Sequence, residues 1–169
     1  EPDFFPDSRG FFFESFSREK YSEIGITAEF VQDNISKSAK NTLRGLHYQA
    51  GGFAQGKLCQ VITGKVLDVA VDIRFGSPTF GRHFSVELSG DNHRQIWIPP
   101  GFAHGFSVLS EEAIFSYKCT ARYDKQSERG IIYNDESLGI DWKVEAPIVS
   151  EKDLKAKSFS EIEKEFFFV

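Results

Sequence analysis

Two runs of the chain each place one histidine in or beside a strand-like segment: Leu43-Arg44-Gly45-Leu46-His47-Tyr48-Gln49 and Pro99-Pro100-Gly101-Phe102-Ala103-His104-Gly105-Phe106. In the second, a Pro/Gly turn leads directly into the strand. Imidazole gains and loses a proton near neutral pH, so His47 and His104 are candidate proton carriers. A lysine (Lys57), a tyrosine (Tyr117) and an aspartate (Asp153) occur in segments that suggest one shared pocket. A set of this kind suits proton transfer between a positioned base and a positioned acid. The other two histidines, in Gly81-Arg82-His83 and Asp91-Asn92-His93-Arg94, sit among surface-like residues and are expected to be solvated.

The elements that must position these side chains are strands. Lys57 to Thr63, Gly64, then Lys65 to Arg74 give two runs joined at a glycine, with Leu67, Val69, Val71 and Ile73 on one face and Val66, Asp68, Ala70 and Asp72 on the other. The second face is mixed, and its two aspartates are expected to be structural, paired for instance with Arg44 or Arg74. Further runs at Phe30 to Ile35, Thr42 to Gln49, Phe80 to Leu88, Gln95 to Ile98, Gly105 to Leu109, Ala113 to Tyr123 and Ile131 to Tyr133 are separated by Gly, Pro, Asn, Asp and Ser clusters. Many short strands predict an all-β sandwich or jelly roll. Helical signal is confined to short peripheral segments, Ser17 to Ile24 and Ser160 to Phe166, the latter with capping-box spacing between Ser160 and Glu163.

The 169 residues fit one domain spanning 1–169, able to bury roughly 70% of the surface its unfolded form exposes. A formal charge of −5 and the lack of any long Lys/Arg block speak against a nucleic-acid partner. No window has the length of apolar sequence a membrane helix needs, and the first twenty residues carry Asp, Glu and Arg among their phenylalanines, unlike a secretory signal. A soluble cytoplasmic protein is expected. The sequence contains no methionine, which predicts residues upstream of Glu1. Cys59 and Cys119 lack CxxC or His-rich company and are expected to be reduced, packed thiols. Among eighteen phenylalanines, Phe11-Phe12-Phe13 is too short for a helix face, and alternation along a strand turns at least one ring away from the buried side. That ring suits either a subunit interface or a platform for a flat base. Phe166-Phe167-Phe168 has no chemistry beside it and is expected to be packing or an oligomer contact.

The spacing Pro99-x-Gly101-x-x-His104 resembles the second signature motif of the cupin superfamily, a jelly-roll β-barrel. Metal-binding cupins carry an H-x-H pair and a downstream Glu in their first motif. The matching stretch here, His47-Tyr48-Gln49, offers one imidazole, so no metal is expected there.

A more specific resemblance covers about Phe5 to Asp153. Asp7 to Glu14, Phe30 to Ser36, Leu43 to Gln49, Gln55 to Leu58, Val69 to Arg74, Pro100 to Phe106, Tyr117 to Thr120 and Ser150 to Asp153 follow one another in an order similar to the dTDP-4-dehydrorhamnose 3,5-epimerase family. The resemblance implies a metal-free cupin homodimer without a cofactor, acting on a dTDP-linked 4-keto-6-deoxyhexose, dTDP-4-dehydro-6-deoxy-D-glucose, and inverting C3 and C5. Both carbons flank the C4 ketone, so loss of either proton gives an enolate that needs a base, an acid on the opposite face and a charge to hold the oxyanion. By carry-over, His47 is the base, Asp153 fixes and stabilises its ring, Tyr117 delivers the opposite proton and Lys57 holds the enolate oxygen. Arg9 and Arg44 fall at family positions near the pyrophosphate. Phe12, Glu14, Gln32, Asn34 and Tyr123 fall around the nucleotide and sugar, with Phe12 and Tyr123 as stacking partners for thymine, and His104 lines the sugar site. In such a dimer an N-terminal strand joining the partner's sheet would take Arg9, Phe12 and Glu14 to the neighbour's pocket. Two other readings stay open: a relative that inverts one centre or uses another nucleotide-linked keto-sugar, and a noncatalytic cupin that binds a sugar nucleotide.

Overall fold

The computed structural model describes residues 1–168, which form eleven strands and a few short helical turns. Strands β1 (Phe4–Asp7) and β2 (Gly10–Phe13) make an N-terminal hairpin. A four-stranded sheet has the order β3 (Gln32–Ala39), β10 (Glu112–Cys119), β5 (Lys57–Thr63), β8 (Gln95–Ile98). A five-stranded sheet has the order β11 (Glu128–Gly130), β4 (Leu43–Gln49), β9 (Phe102–Val108), β6 (Lys65–Asp72), β7 (His83–Ser89). The named strand pairings are antiparallel, and the two larger sheets pack face to face as a jelly roll.

Alternation along β6 explains how the barrel is filled. Val66 and Ala70 point into the space between the sheets, where they meet Cys59, Val61, Phe106, Val108, Ala113 and Phe115. Leu67, Val69 and Val71 point to the opposite face, which the C-terminal segment covers with Leu138, Trp142, Phe159, Ile162 and Phe166. The mixed face read from the sequence is therefore the barrel interior, and every residue of β6 after Lys65 is buried. Each fully buried Val or Leu contributes roughly 1.5–3 kcal/mol. Asp72 pairs with Arg74, as expected, but Asp68 pairs with His104 rather than with an arginine.

Several boundaries move. The predicted strand at Ile131 to Tyr133 lies earlier, as β11, because Glu128 to Gly130 pair with the edge of β4, while Ile131 and Tyr133 pack into the outer core. The capping box involves Ser158 and Glu161, two residues before the predicted pair; the Ser158 N–H donates to Glu161 Oε2 at 3.0 Å and opens a 3-10 turn at Phe159–Glu161. A short helix α1 (Arg18–Glu23) matches the N-terminal helical signal. His93 is not a freely solvated surface residue: its ring stacks on Phe4 with centroids 4.2 Å apart and touches Phe11 and Phe13, which holds the hairpin against the β7–β8 turn. Phe166 reaches Tyr48 edge-on, and Phe75 bonds the backbone of Phe166 and Phe168, so this aromatic run anchors the C-terminal segment.

Candidate active site

A local irregularity in β4 aims its two chemical side chains the same way. Arg44 lies opposite Phe106 and His47 opposite His104, so three steps on β4 answer two on β9. In a regular strand, residues three apart face opposite sides; the extra residue turns both Arg44 and His47 into the same cavity. Gly45 makes this possible. Its φ is +118°, and a Cβ there would stand 2.6 Å from the Gly105 Cα and 2.7 Å from the His104 carbonyl oxygen.

The His47 ring is fixed from a distant part of the chain. Helix α2 (Glu151–Leu154) begins at Ser150, whose hydroxyl accepts the Asp153 N–H at 3.1 Å, and this turn points Asp153 back into the sheet. Asp153 Oδ1 lies 2.6 Å from His47 Nε2, and the Gly45 N–H donates to Oδ2 at 3.4 Å. Burial pushes the Asp153 carboxyl up, but the hydrogen bond and charge of His47, with the Gly45 and Ser150 contacts, hold it below the usual carboxylate range. An ionised Asp153 keeps the proton on Nε2 and leaves Nδ1 as the basic nitrogen.

The opposite sheet supplies the remaining groups. Tyr117 on β10 and Lys57 on β5 share with Arg44, His47, His104 and Asp153 a cavity of about 560 Å3. Burial pushes the Tyr117 phenol up to about 12, so it carries its proton at neutral pH. Burial pulls Lys57 below its ordinary value, opposed by the nearby Cys59, Cys119, Asp68 and Glu128. His104 Nε2 lies 2.9 Å from Asp68 Oδ2, and burial lowers the His104 pKa against the pull of that carboxylate.

A smaller cavity of about 280 Å3 shares His47, Lys57 and Tyr117 with the first and extends it toward Gln32, Asn34 and Tyr123. Gln32 donates to Asn34 at 3.0 Å and accepts the Tyr123 N–H at 2.9 Å, so three residues singled out in the sequence form one wall. The sequence reading missed Glu128, which accepts from the Tyr123 hydroxyl at 3.0 Å and from Lys152 at 2.5 Å. It also missed Lys152, which lines the larger cavity. Both look like solvated charges in sequence; Lys152 is marked only by its place beside Asp153.

Arg9, Phe12 and Glu14 lie elsewhere. Arg9 donates to Asp7 at the hairpin tip, Phe12 is 69% exposed, and Glu14 pairs with Lys20. Among the described residues, these three line none of the three cavities that His47 borders.

Comparison with known proteins identifies the lineage. The family model described as dTDP-4-dehydrorhamnose 3,5-epimerase matches residues 1–161. The chain belongs to the dTDP-4-dehydrorhamnose 3,5-epimerase family. Within that family, the dTDP-4-dehydrorhamnose 3,5-epimerase of Shigella flexneri is 55% identical over 160 residues, 94% of this chain and 88% of that one. The dTDP-6-deoxy-D-glucose-3,5-epimerase of Legionella pneumophila Philadelphia 1, solved in complex with dTDP-4-keto-L-rhamnose, superposes with a TM-score of 0.96 at 53% identity, covering 100% of this chain and 92% of that one. A 3'-monoepimerase from Streptomyces bikiniensis in complex with dTDP-quinovose superposes with a TM-score of 0.89 at 31% identity, covering 95% of this chain and 82% of that one. The jelly roll is thus the cupin fold of the epimerase family, and the described residues contain no helix long and apolar enough to cross a membrane.

Proposed function

We propose that the chain catalyses epimerisation of dTDP-4-dehydro-6-deoxy-D-glucose at C3 and C5. The observation that carries this reading is the pairing of His47 with Asp153 on one sheet's side of a cavity whose opposite sheet supplies Tyr117 and Lys57. His47 Nδ1 removes a proton from the carbon beside the C4 ketone, and Asp153 stabilises the imidazolium that results. The Lys57 ammonium holds the enolate oxygen inside a partly desolvated cavity, where a charge acts more strongly than in water. Tyr117 then returns a proton to the other face, which inverts the centre. None of these steps changes an oxidation state, so no redox cofactor is needed.

Arg44 binds the pyrophosphate at the cavity mouth, and Gln32, Asn34 and Tyr123 hold the nucleoside, with Tyr123 as a stacking surface. The working unit is a homodimer in which the hairpin carries Arg9, Phe12 and Glu14 to the partner's cavity; the exposed Phe5 and Phe12 rings on one face of that hairpin favour a protein partner for it. The reaction takes place in the cytoplasm, in keeping with two unpaired, buried thiols.

The likeness to a 3'-monoepimerase favours one second reading, inversion at a single carbon. Incubation with dTDP-4-dehydro-6-deoxyglucose in D2O, followed by NMR and product analysis, decides between them. Deuterium at C3 and C5 with a doubly inverted product supports the main reading; exchange and inversion at one carbon supports the second. Tight binding with no exchange overturns both.

A further inference from the structure

At the inner wall of the catalytic cavity, which His104 lines, lies a group of side chains to which the proposed chemistry gives no proton-transfer role. Cys59 on β5, Asp68 on β6 and His104 on β9 face one another across the barrel, each buried, with one candidate ligand atom from each lying within 4.8 Å of the others. A second observation points to something missing from this group. Asp68 is 0% exposed, and while its Oδ2 meets His104, its Oδ1 is buried with no hydrogen-bond partner among the described residues. A buried carboxylate oxygen left without a partner is costly, and native structures rarely tolerate one without a bound species to satisfy it.

We propose that Cys59, Asp68 and His104 form an interior site for a soft divalent cation of the zinc class, and that its occupancy inhibits turnover. A thiolate, a carboxylate and an imidazole are three of the ligand types zinc prefers, and three protein ligands leave a fourth position for water or a substrate oxygen. This donor set is distinct from the two-histidine cupin arrangement discussed above, since His47 is engaged by Asp153 and contributes nothing to it. When the cation binds, the Cys59 sulfur forms the metal bond and its proton leaves to solvent; no oxidation state changes. His104 lines the catalytic cavity beside His47 and Lys57, so a cation held on its ring, with the water that fills its fourth position, takes up the wall against which the sugar must sit. The site would thus couple zinc binding to turnover.

The test uses untagged protein, freed of metal by chelator and titrated with cobalt(II), whose thiolate charge-transfer absorption marks a Co–S bond whether or not the enzyme is active. One equivalent binds with that absorption in the native chain and gives none in Cys59→Ser. Zinc at one equivalent lowers turnover by about tenfold or more in the native chain, chelator restores it, and Cys59→Ser turns over at the native rate with zinc present. Cys59→Ala serves if the serine variant does not fold. Absence of the thiolate band at saturating cobalt, its persistence in the folded variant, or equal zinc inhibition of native and variant chains overturns the proposal.

Discussion

His47 Nε2 and Asp153 Oδ1 stand 2.6 Å apart although the two residues are 106 positions apart in the chain. The pair joins the edge region of a strand to a four-residue helix, and the Gly45 N–H on the second carboxylate oxygen fixes the carboxylate's plane as well as its position. Asp153→Asn preserves the shape but cannot stabilise the imidazolium, and its amide can turn an N–H toward His47 and reverse the tautomer. Turnover is expected to fall by about a hundredfold or more, with dTDP affinity within about tenfold of the native value. Steady-state kinetics and calorimetric titration with dTDP check the split; equal losses in both would remove Asp153 from the catalytic step.

Tyr117→Phe separates proton removal from inversion. With the phenol gone, His47 still takes the proton and returns one, deuterium in D2O, to the same face, so C–H exchange continues while inverted product falls by about a hundredfold. NMR exchange and a product assay on one sample give the ratio. Exchange lost in step with inversion would mean that Tyr117 serves the base side.

The strands were legible because their causes are local, whereas most of the cavity residues on them, Lys57, Tyr117 and Asp153 among them, were given their roles by the family resemblance. Alternation defined β5 and β6, and the Pro/Gly turn announced β9 and His104. The partner of Asp68 was not legible, because it depends on how β6 and β9 register across a ladder that no local pattern encodes. Glu128 was missed for a similar reason: a solvated-looking glutamate becomes a cavity wall only because β11 docks on the edge of β4. The packing of Phe4, Phe11 and Phe13 on His93 required knowing where the hairpin folds back. Arg9, Phe12 and Glu14 were read as site residues from the family pattern, yet within one chain they lie apart from the cavity, on a hairpin that packs against His93.

Acid sensitivity has an identifiable source in Asp72. Its burial alone would push the carboxyl up, but bonds from the Arg74 side chain, Ser77, Thr79 and the Arg74 N–H hold it far below the ordinary range. A carboxyl depressed in the folded state adds stability that is complete above its unfolded pKa, about 4, and is lost as pH falls through the folded value. Asp72→Asn is expected to cost about 3 kcal/mol at pH 7, because the Arg74 charge loses its partner. The deficit narrows as pH drops below about 4. Urea denaturation across that range checks the sign; a deficit constant with pH would assign the loss to packing.

Gly45→Ala tests the bulge that aims His47. The left-handed backbone at φ +118° and the Gly105 Cα at 2.6 Å leave no room for a methyl group. A loss of at least about 2 kcal/mol is expected, together with a drop in turnover larger than that of an equally destabilising change remote from the cavity. Denaturation midpoints and kinetics at low temperature separate the two effects.

Arg9 offers a test of whether the site is shared between protomers. If each cavity takes its hairpin from the partner, Arg9→Ala and His47→Ala chains are each weakly active alone, but a mixed dimer rebuilds one intact cavity from the His47 of one chain and the Arg9 of the other. Random pairing makes half of the dimers mixed, with one good site in two, so co-expressed chains should recover about a quarter of native turnover. If the hairpin serves its own chain, both sites of the mixed dimer stay defective and activity does not rise above that of the separate variants. The hairpin's two faces differ in what they touch: Phe4, Phe11 and Phe13 gather on His93, whereas the exposed Phe5 and Phe12 meet each other on the face left for a neighbour.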